Sequence, residues 1–122
     1  MFAKRIMFTA LAAIALALPA MPAWAQTGVV NSQSDFIKLV NGKTLTRPLV
    51  RLEVRPDGSI TGKGAAWDVT GTWNWQGGYF CRDLFWGGDP LGYNCQQVSM
   101  VDGRIQFTSD EGRGDSAAFR LN

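Results

Sequence analysis

The alternation of apolar and polar residues has period two from Trp67 to Trp75. One face carries Trp67, Val69, Gly71, Trp73 and Trp75, and the other carries Asp68, Thr70, Thr72 and Asn74. This pattern predicts a half-buried antiparallel strand. Since Gly71 has no side chain, we expect a kink or a close backbone approach there. Gly77-Gly78 predicts a two-residue hairpin turn into a return strand that begins at Tyr79.

Further short strands with the same alternation are predicted on both sides of this one. They cover the residues after Leu45 up to Arg55, with Pro48 marking a sheet edge, then 60–63, 93–101, 104–108 and 117–121. Turns are predicted at Pro56-Asp57-Gly58, at Asp102-Gly103 and in the glycine-rich segment 110–114. Segment 83–92 shows neither period, and we interpret it as a loop. Six or seven such strands predict a mainly β fold, a small antiparallel meander barrel or sandwich.

One short helix is predicted ahead of the strands. Ser32-x-x-Asp35 resembles a capping box, and Asn41-Gly42 supplies the stop signal. The apolar positions, spaced i, i+3 and i+4, are Phe36, Leu39 and Val40. A helix of two turns is unstable alone, so this stripe must lie on the sheet or plug an open end of it. Residues 26–31 are predicted to be a mobile polar leader.

Residues 1–25 have the pattern of a secretory signal peptide. Basic Lys4-Arg5 is followed by an apolar run from Ile6 to Leu18 and by the small-residue cleavage site Ala23-Trp24-Ala25. A run of about 13 residues is shorter than the ~20 residues that a membrane-spanning helix needs. We therefore expect a mature chain 26–122, a single β-domain that is periplasmic or secreted and does not span a membrane.

The charge and cysteine content narrow the classes of partner. Removal of Lys4 and Arg5 would reduce twelve basic residues to ten, against ten acidic residues, so the mature domain is formally neutral. A nucleic-acid partner is not expected, because such proteins carry a clustered basic surplus. Cys81 and Cys95 are expected to form a disulfide in an oxidising compartment. We expect a monomer whose partner is a small ligand or an envelope or extracellular protein.

The sequence contains no histidine. Nucleophiles activated by histidine and histidine metal sites are therefore excluded, and we expect no catalytic residues, no cofactor and no metal. Paired carboxylates remain as an acid/base alternative. Such pairs are Asp83 with Asp89, or Asp110 with Glu111 and Asp115.

Aromatic residues near the cysteines are the candidate binding site. Phe85 and Trp86 precede Gly87-Gly88, and with Arg82 and Tyr93 they are predicted to line a rim that stacks on a sugar, a peptide or a small apolar ligand. The alternative is a loop that folds its own aromatics over the barrel end. The residues with inward parity are Val50, Leu52, Val54, Ile60, Trp67, Trp73, Trp75, Ile105, Phe107, Phe119 and Leu121. They predict a packed interior without an internal cavity above about 300 Å³.

These motifs, taken in order, resemble a family of small exported bacterial proteins without settled function. The resemblance rests on Phe36-x-x-Leu39-x-x-Gly42-Lys-Thr-Leu45, Asp57-Gly58-x-Ile60, Val69-x-Gly71-x-Trp73-x-Trp75, Gly78-Tyr-Phe-Cys-Arg82, Cys95-Gln96-x-Val98, Ile105-x-Phe107 and Gly112-x-Gly114-Asp115. Some members are called dihydrodipicolinate reductase, which implies a nicotinamide site. Such a site needs a glycine-rich turn at a helix N-terminus, but Gly62-x-Gly64-x-x-Trp67 has tryptophan in place of the third glycine.

More loosely, Gly71-Thr-Trp73 is similar to short motifs in calycin-type barrels such as lipocalins, avidins and exported protease inhibitors. The resemblance implies a small barrel that binds a ligand or a protein. The predicted function is therefore an exported, non-catalytic binding or interaction module, either a small-ligand carrier or an inhibitor-like domain. The alternative is an enzyme, either the reductase implied by the family name or a carboxylate-dependent envelope hydrolase.

Overall fold

The computed structural model describes residues 28–122 together with Ala17, and the predicted signal peptide otherwise lies outside the described residues. The strands are β1 (Gly28–Val30), β2 (Leu45–Arg47), β3 (Val50–Val54), β4 (Ser59–Gly64), β5 (Trp67–Gln76), β6 (Tyr79–Trp86), β7 (Asp89–Val101), β8 (Arg104–Thr108) and β9 (Ser116–Leu121). Two helical elements, α1 (Gln33–Val40) and α2 (Ser109–Gly112), complete the fold.

The strands β2 to β9 form a closed antiparallel barrel. Each pairs with the next along the chain, and β9 pairs back with β2, which closes the circle of eight strands. β1 lies outside this circle and pairs with residues 98–100 of β7. The predicted mainly β fold with one disulfide is confirmed, and of the two architectures left open the structure has the barrel.

Several strand predictions were wrong in number or extent. Six or seven strands were expected, but nine are present among the described residues. The segment after Leu45 is two strands, because the chain turns at Pro48-Leu49, where Leu49 has φ 65°. The predicted mobile leader contains β1, whose hydrogen bonds to β7 fix it. A three-residue strand carries too short an alternation to be seen in the sequence.

The expected loop at 83–92 is instead the far part of a long β-hairpin. β6 and β7 continue past the cysteines to a turn at Gly87-Gly88, whose φ values of 57° and 87° equal those of Gly77-Gly78. Positive φ at both positions is typical of the tight hairpin turn that favours glycine. The pairing shifts by one residue at Leu84/Phe85, so Leu91 forms a bulge. The bulge interrupts the alternation of the two faces in segment 83–92, so the sequence showed no strand period there.

The helix α1 closes one end of the barrel. Ser32 accepts a hydrogen bond from the backbone N–H of Asp35, which caps the helix as predicted. The three apolar residues of its stripe are buried among the barrel aromatics: Phe36, Leu39 and Val40. The expected inward residues are all buried or half-buried except Trp67, which is 55% exposed. Trp67 lies beside the β4–β5 turn, beyond the residues that fill the barrel.

Gly71 is the site of a close backbone approach, as predicted. A Cβ atom added there would overlap the backbone oxygen of Asp83 in β6. We expect Gly71→Ala to lower the free energy of unfolding by about 1–3 kcal/mol, because the two paired strands must move apart. Urea denaturation followed by Trp fluorescence measures this loss. Thr70→Ala, on the exposed face of the same strand, is the control and should change stability by less than about 0.5 kcal/mol.

None of the helices in the described ranges is long and apolar enough to cross a membrane.

Candidate functional site

The end of the barrel opposite α1 is open. Three turns surround it, at residues 48–49 between β2 and β3, 65–66 between β4 and β5, and 87–88 between β6 and β7. Between them lies a hollow of about 500 Å³, which we call the mouth. Its lining residues are Arg47, Pro48, Leu49, Val50, Leu52, Gly64, Ala65, Val69, Leu84, Trp86, Leu91 and Phe119. With the exception of Arg47, this lining is apolar or glycine.

A smaller space, the inner cavity, lies below the mouth inside the barrel. It has a volume of about 180 Å³, and it shares Leu52, Leu84 and Phe119 with the mouth. The rest of its lining consists of Leu45, Val54, Ile60, Phe80, Arg82, Gln96, Phe107 and Ala117. Its volume is below the limit of about 300 Å³ expected for the interior. The larger space is therefore at the open end and not at the centre of the barrel.

Trp86 is held in position on one side of the mouth. Its indole Nε1 donates a hydrogen bond to the backbone oxygen of Gly64, 2.8 Å away. The ring meets that of Trp67 edge to face, with 5.4 Å between the centroids. Gly64 allows the contact, because a Cβ atom there would lie 2.9 Å from the indole nitrogen. Trp86 is 39% exposed, so one side of the ring remains available to a ligand.

Arg82 lies deeper than Trp86 on the same face of β6. Its Nη1 donates a hydrogen bond to the backbone oxygen of Gly92, 2.6 Å away. Burial lowers the pKa of the Arg82 guanidinium, and the charge of Asp83 opposes this shift. The group remains cationic, because arginine does not lose its proton in proteins. Among the described residues no salt bridge involves Arg82.

Phe85 and Tyr93 lie on the other face of the β6–β7 hairpin. Strand alternation places Phe85 opposite in direction to Trp86, and Tyr93 pairs in register with Asp83. Their exposed fractions are 37% and 59%, and the Tyr93 hydroxyl lies 3.5 Å from Cys95 Sγ. The four predicted site residues are therefore divided. Arg82 and Trp86 line the barrel spaces, whereas Phe85 and Tyr93 do not line the mouth or the inner cavity.

Leu49, Leu91 and Arg47 are among the mouth residues that were not predicted from the sequence. Leu49 is 80% exposed and Leu91 is 53% exposed, on opposite sides of the opening. Arg47 places its guanidinium over the ring of Phe119, 5.7 Å from the centroid. Pro48 could have indicated the turn that places Arg47 and Leu49 at the opening, but it was interpreted only as a sheet edge. The bulge at Leu91 leaves no comparable mark in the sequence.

The structure does not bring Asp83 and Asp89 together. Asp83 pairs with Tyr93, and Asp89 pairs with Trp86. Since paired residues share a face of the sheet, the two carboxylates project from opposite faces of the hairpin. Asp110 instead accepts a hydrogen bond from the Asn94 amide. Within residues 28–122, no group of three cysteine or acidic residues has the arrangement of a metal site.

The segment Gly62-x-Gly64 lies inside β4, between two antiparallel neighbours. It does not precede a helix N-terminus, which is where a nicotinamide cofactor places its pyrophosphate. A Cβ atom on Gly62 would overlap the backbone oxygen of Arg51. The spacing of these glycines therefore has a sufficient explanation in strand packing.

Comparisons of the chain with protein-family models, with curated proteins and with solved structures gave no significant match. The similarity to the exported bacterial family and to calycin-type barrels stays a prediction from sequence. The geometry of the mouth and the inner cavity is therefore the basis for inferring a function.

Proposed function

We propose that this domain is an exported, non-catalytic binding module that takes a small apolar or amphipathic ligand into the open end of the barrel. The observation that carries the proposal is the mouth, an apolar hollow of about 500 Å³ that shares three lining residues with a second space inside the barrel. Ligand sites are typically concave, mostly apolar and about 300–1,000 Å³ in volume. The mouth falls within this range.

Large apolar side chains exposed around the mouth supply the driving force. Leu49, Trp67 and Leu91 are each more than half exposed, and Trp86 contacts the ring of Trp67. Removing apolar surface from water is worth about 25 cal/mol per Å². A ligand that enters the mouth covers part of this surface, and the apolar contact accounts for affinity without a specific polar partner.

The β6–β7 hairpin is prepared for binding by the disulfide. Cys81 and Cys95 are directly opposite in the register and are bonded, and the strands continue from there to the mouth. Because this hairpin is already ordered at the side of the mouth, the entropic cost of binding is lower. The concave mouth favours a small-ligand carrier over an inhibitor-like domain, which would present a projecting loop to an envelope protein.

The disulfide is consistent with an oxidising extracellular compartment. Together with the signal-peptide pattern of residues 1–25, it supports a periplasmic or secreted location for the module. The eight barrel strands are all paired within one chain. A closed barrel leaves few strand edges for association with a second copy, which supports the proposal of a monomer.

Trp86→Ala is expected to weaken binding of the neutral fluorescent probe N-phenyl-1-naphthylamine by about ten-fold or more. Full burial of a large apolar side chain is worth about 1.5–3 kcal/mol, and 1.4 kcal/mol is a factor of ten in affinity. Fluorescence titration measures the dissociation constant. The free energy of unfolding should fall by about 1–3 kcal/mol, the sum of the lost hydrogen bond and the lost ring pair.

Phe85→Ala is the matched control for this experiment. The two aromatics are neighbours in β6 with similar exposure, but Phe85 does not line the mouth. Its removal should leave probe binding within about two-fold of the wild type, well short of the ten-fold step that 1.4 kcal/mol represents. The proposal is wrong if the wild-type protein shows no saturable binding, or if the two substitutions weaken binding equally.

A further inference from the structure

Two guanidinium groups line the spaces of the open end, whereas Asp89, which pairs with Trp86, is outside the lining. Arg82 lines the inner cavity and Arg47 lines the mouth. Neither lining contains an aspartate or a glutamate. The linings also contain one polar amide, that of Gln96. A largely apolar space with cationic groups and no anion in its lining is complementary to a ligand that has an apolar part and a negative charge.

Arg82 has hydrogen-bonding capacity that the described protein atoms do not use. A guanidinium has five N–H donors, and the single side-chain hydrogen bond described for Arg82 is from Nη1 to Gly92. No polar side-chain atom of the described residues is both fully buried and unpartnered. The remaining donors of Arg82 therefore keep access to solvent or to the cavity, where a ligand oxygen can reach them.

The surroundings of Arg82 differ from those of the basic residues that form ion pairs on the surface. Both ion pairs in residues 28–122, Arg55 with Glu53 and Lys63 with Asp68, are between exposed side chains. Arg82 is half-buried, and desolvation lowers the pKa of its guanidinium. Its sequence neighbour Asp83 projects to the other face of the hairpin. A partly desolvated charge without an ion-pair partner is costly, and an incoming carboxylate would reduce that cost.

We propose that the ligand is a single-chain amphiphile with a carboxylate head, bound with its head against Arg82 and its apolar chain in the mouth. This deepens the proposed function and rests on it. A carboxylate accepts two parallel hydrogen bonds from a guanidinium, which orients the head as well as holding it. The chain then lies among Leu52, Leu84 and Phe119, which line both spaces.

Arg82 is the better site for the head than Arg47. Arg47 is exposed at the rim and is already placed over Phe119. A charge pair at an exposed position is weak and is screened by salt. At Arg82 the lower local dielectric strengthens the same interaction. The two arginines therefore provide a matched pair of substitutions, one at the proposed head site and one at the rim.

The test compares octanoate with 1-octanol, which share the chain but differ in the head. Each is titrated against the folded protein saturated with N-phenyl-1-naphthylamine, and displacement of the probe gives the affinity. We expect octanoate to bind the wild type at least about ten-fold more tightly than 1-octanol, equivalent to about 1.4 kcal/mol. Arg82→Gln should remove this preference, because octanoate loses more affinity than 1-octanol does, and Arg47→Gln should keep it.

Equal affinity of octanoate and 1-octanol for the wild type overturns the inference but leaves the proposed function intact. Loss of the preference in Arg47→Gln and not in Arg82→Gln also overturns it, because the head would then be at the rim. If neither compound displaces the bound probe, the inference also fails, whereas the proposed function fails only if the probe itself does not bind saturably. Should Arg82→Gln not fold, the Nε–H resonance of Arg82 in the wild type decides. We expect octanoate but not 1-octanol to shift it, and no shift overturns the inference.

Discussion

Replacing Phe36 by alanine is expected to lower the free energy of unfolding by about 3–5 kcal/mol. Phe36 is fully buried, and its ring centroid lies 5.1–5.2 Å from those of Trp73, Trp75 and Phe80. A fourth partner, Phe107, is 6.3 Å away. The substitution removes the ring that joins α1 to the barrel and leaves a void at the closed end. Since small domains have only about 5–15 kcal/mol of stability, much of the margin would be lost.

Equilibrium urea denaturation, followed by far-ultraviolet circular dichroism, measures this loss. Lys38→Ala is the control within the same helix, because Lys38 is exposed and its removal leaves the apolar stripe intact. The control should stay within about 0.5 kcal/mol of the wild type. A loss below about 1 kcal/mol for Phe36→Ala would show that α1 is not needed to close the barrel and would contradict the packing described.

The aromatic side chains are covered at one end of the barrel and uncovered at the other. At the closed end, Phe36 covers Trp73, Trp75 and Phe80, and the rings are buried or half-buried. At the open end, Trp67 and Trp86 contact each other but no element of the described chain covers them. Aromatic burial therefore explains stability at the first end, and the uncovered aromatic surface is available for binding at the second.

The sequence alone predicted the elements whose signals are local. The alternation from Trp67 to Trp75 predicted β5, and the spacing of Phe36, Leu39 and Val40 predicted α1. Asp102-Gly103 was a correct turn prediction, with φ values of 52° and 74°. Each of these depends on neighbouring residues, so the chain carries the information within one element.

The mouth could not be predicted, because its formation depends on pairings that are distant in the sequence. Closure of the barrel joins Leu45 with Leu121, and no local pattern specifies that contact. In β6, the consecutive apolar residues Leu84, Phe85 and Trp86 obscure the alternation that divides them between the two faces. The sequence thus placed the candidate residues in or beside a predicted loop, and only the register of β6 and β7 shows that Arg82 and Trp86 line the barrel spaces while Phe85 and Tyr93 do not.

The second large effect is expected from loss of the Cys81–Cys95 disulfide. The bond closes a loop of about 15 residues, for which restriction of the unfolded chain is worth about 3 kcal/mol. That loop contains the whole far part of the β6–β7 hairpin, including Arg82 and Trp86. The double substitution Cys81→Ala/Cys95→Ala should therefore lower the free energy of unfolding by about 3 kcal/mol and should also weaken ligand binding at the mouth.

Urea denaturation with and without dithiothreitol separates the covalent effect from the change of side chain. The reductant should destabilise the wild type by about the same 3 kcal/mol and should not affect the double variant, because that variant has no disulfide to reduce. Mass spectrometry of the non-reduced wild type should show a mass lower by two hydrogen atoms than that of the dithiol. A reductant effect below about 1 kcal/mol would mean that strand pairing alone orders the hairpin, since β6 and β7 would then hold their register without the bond.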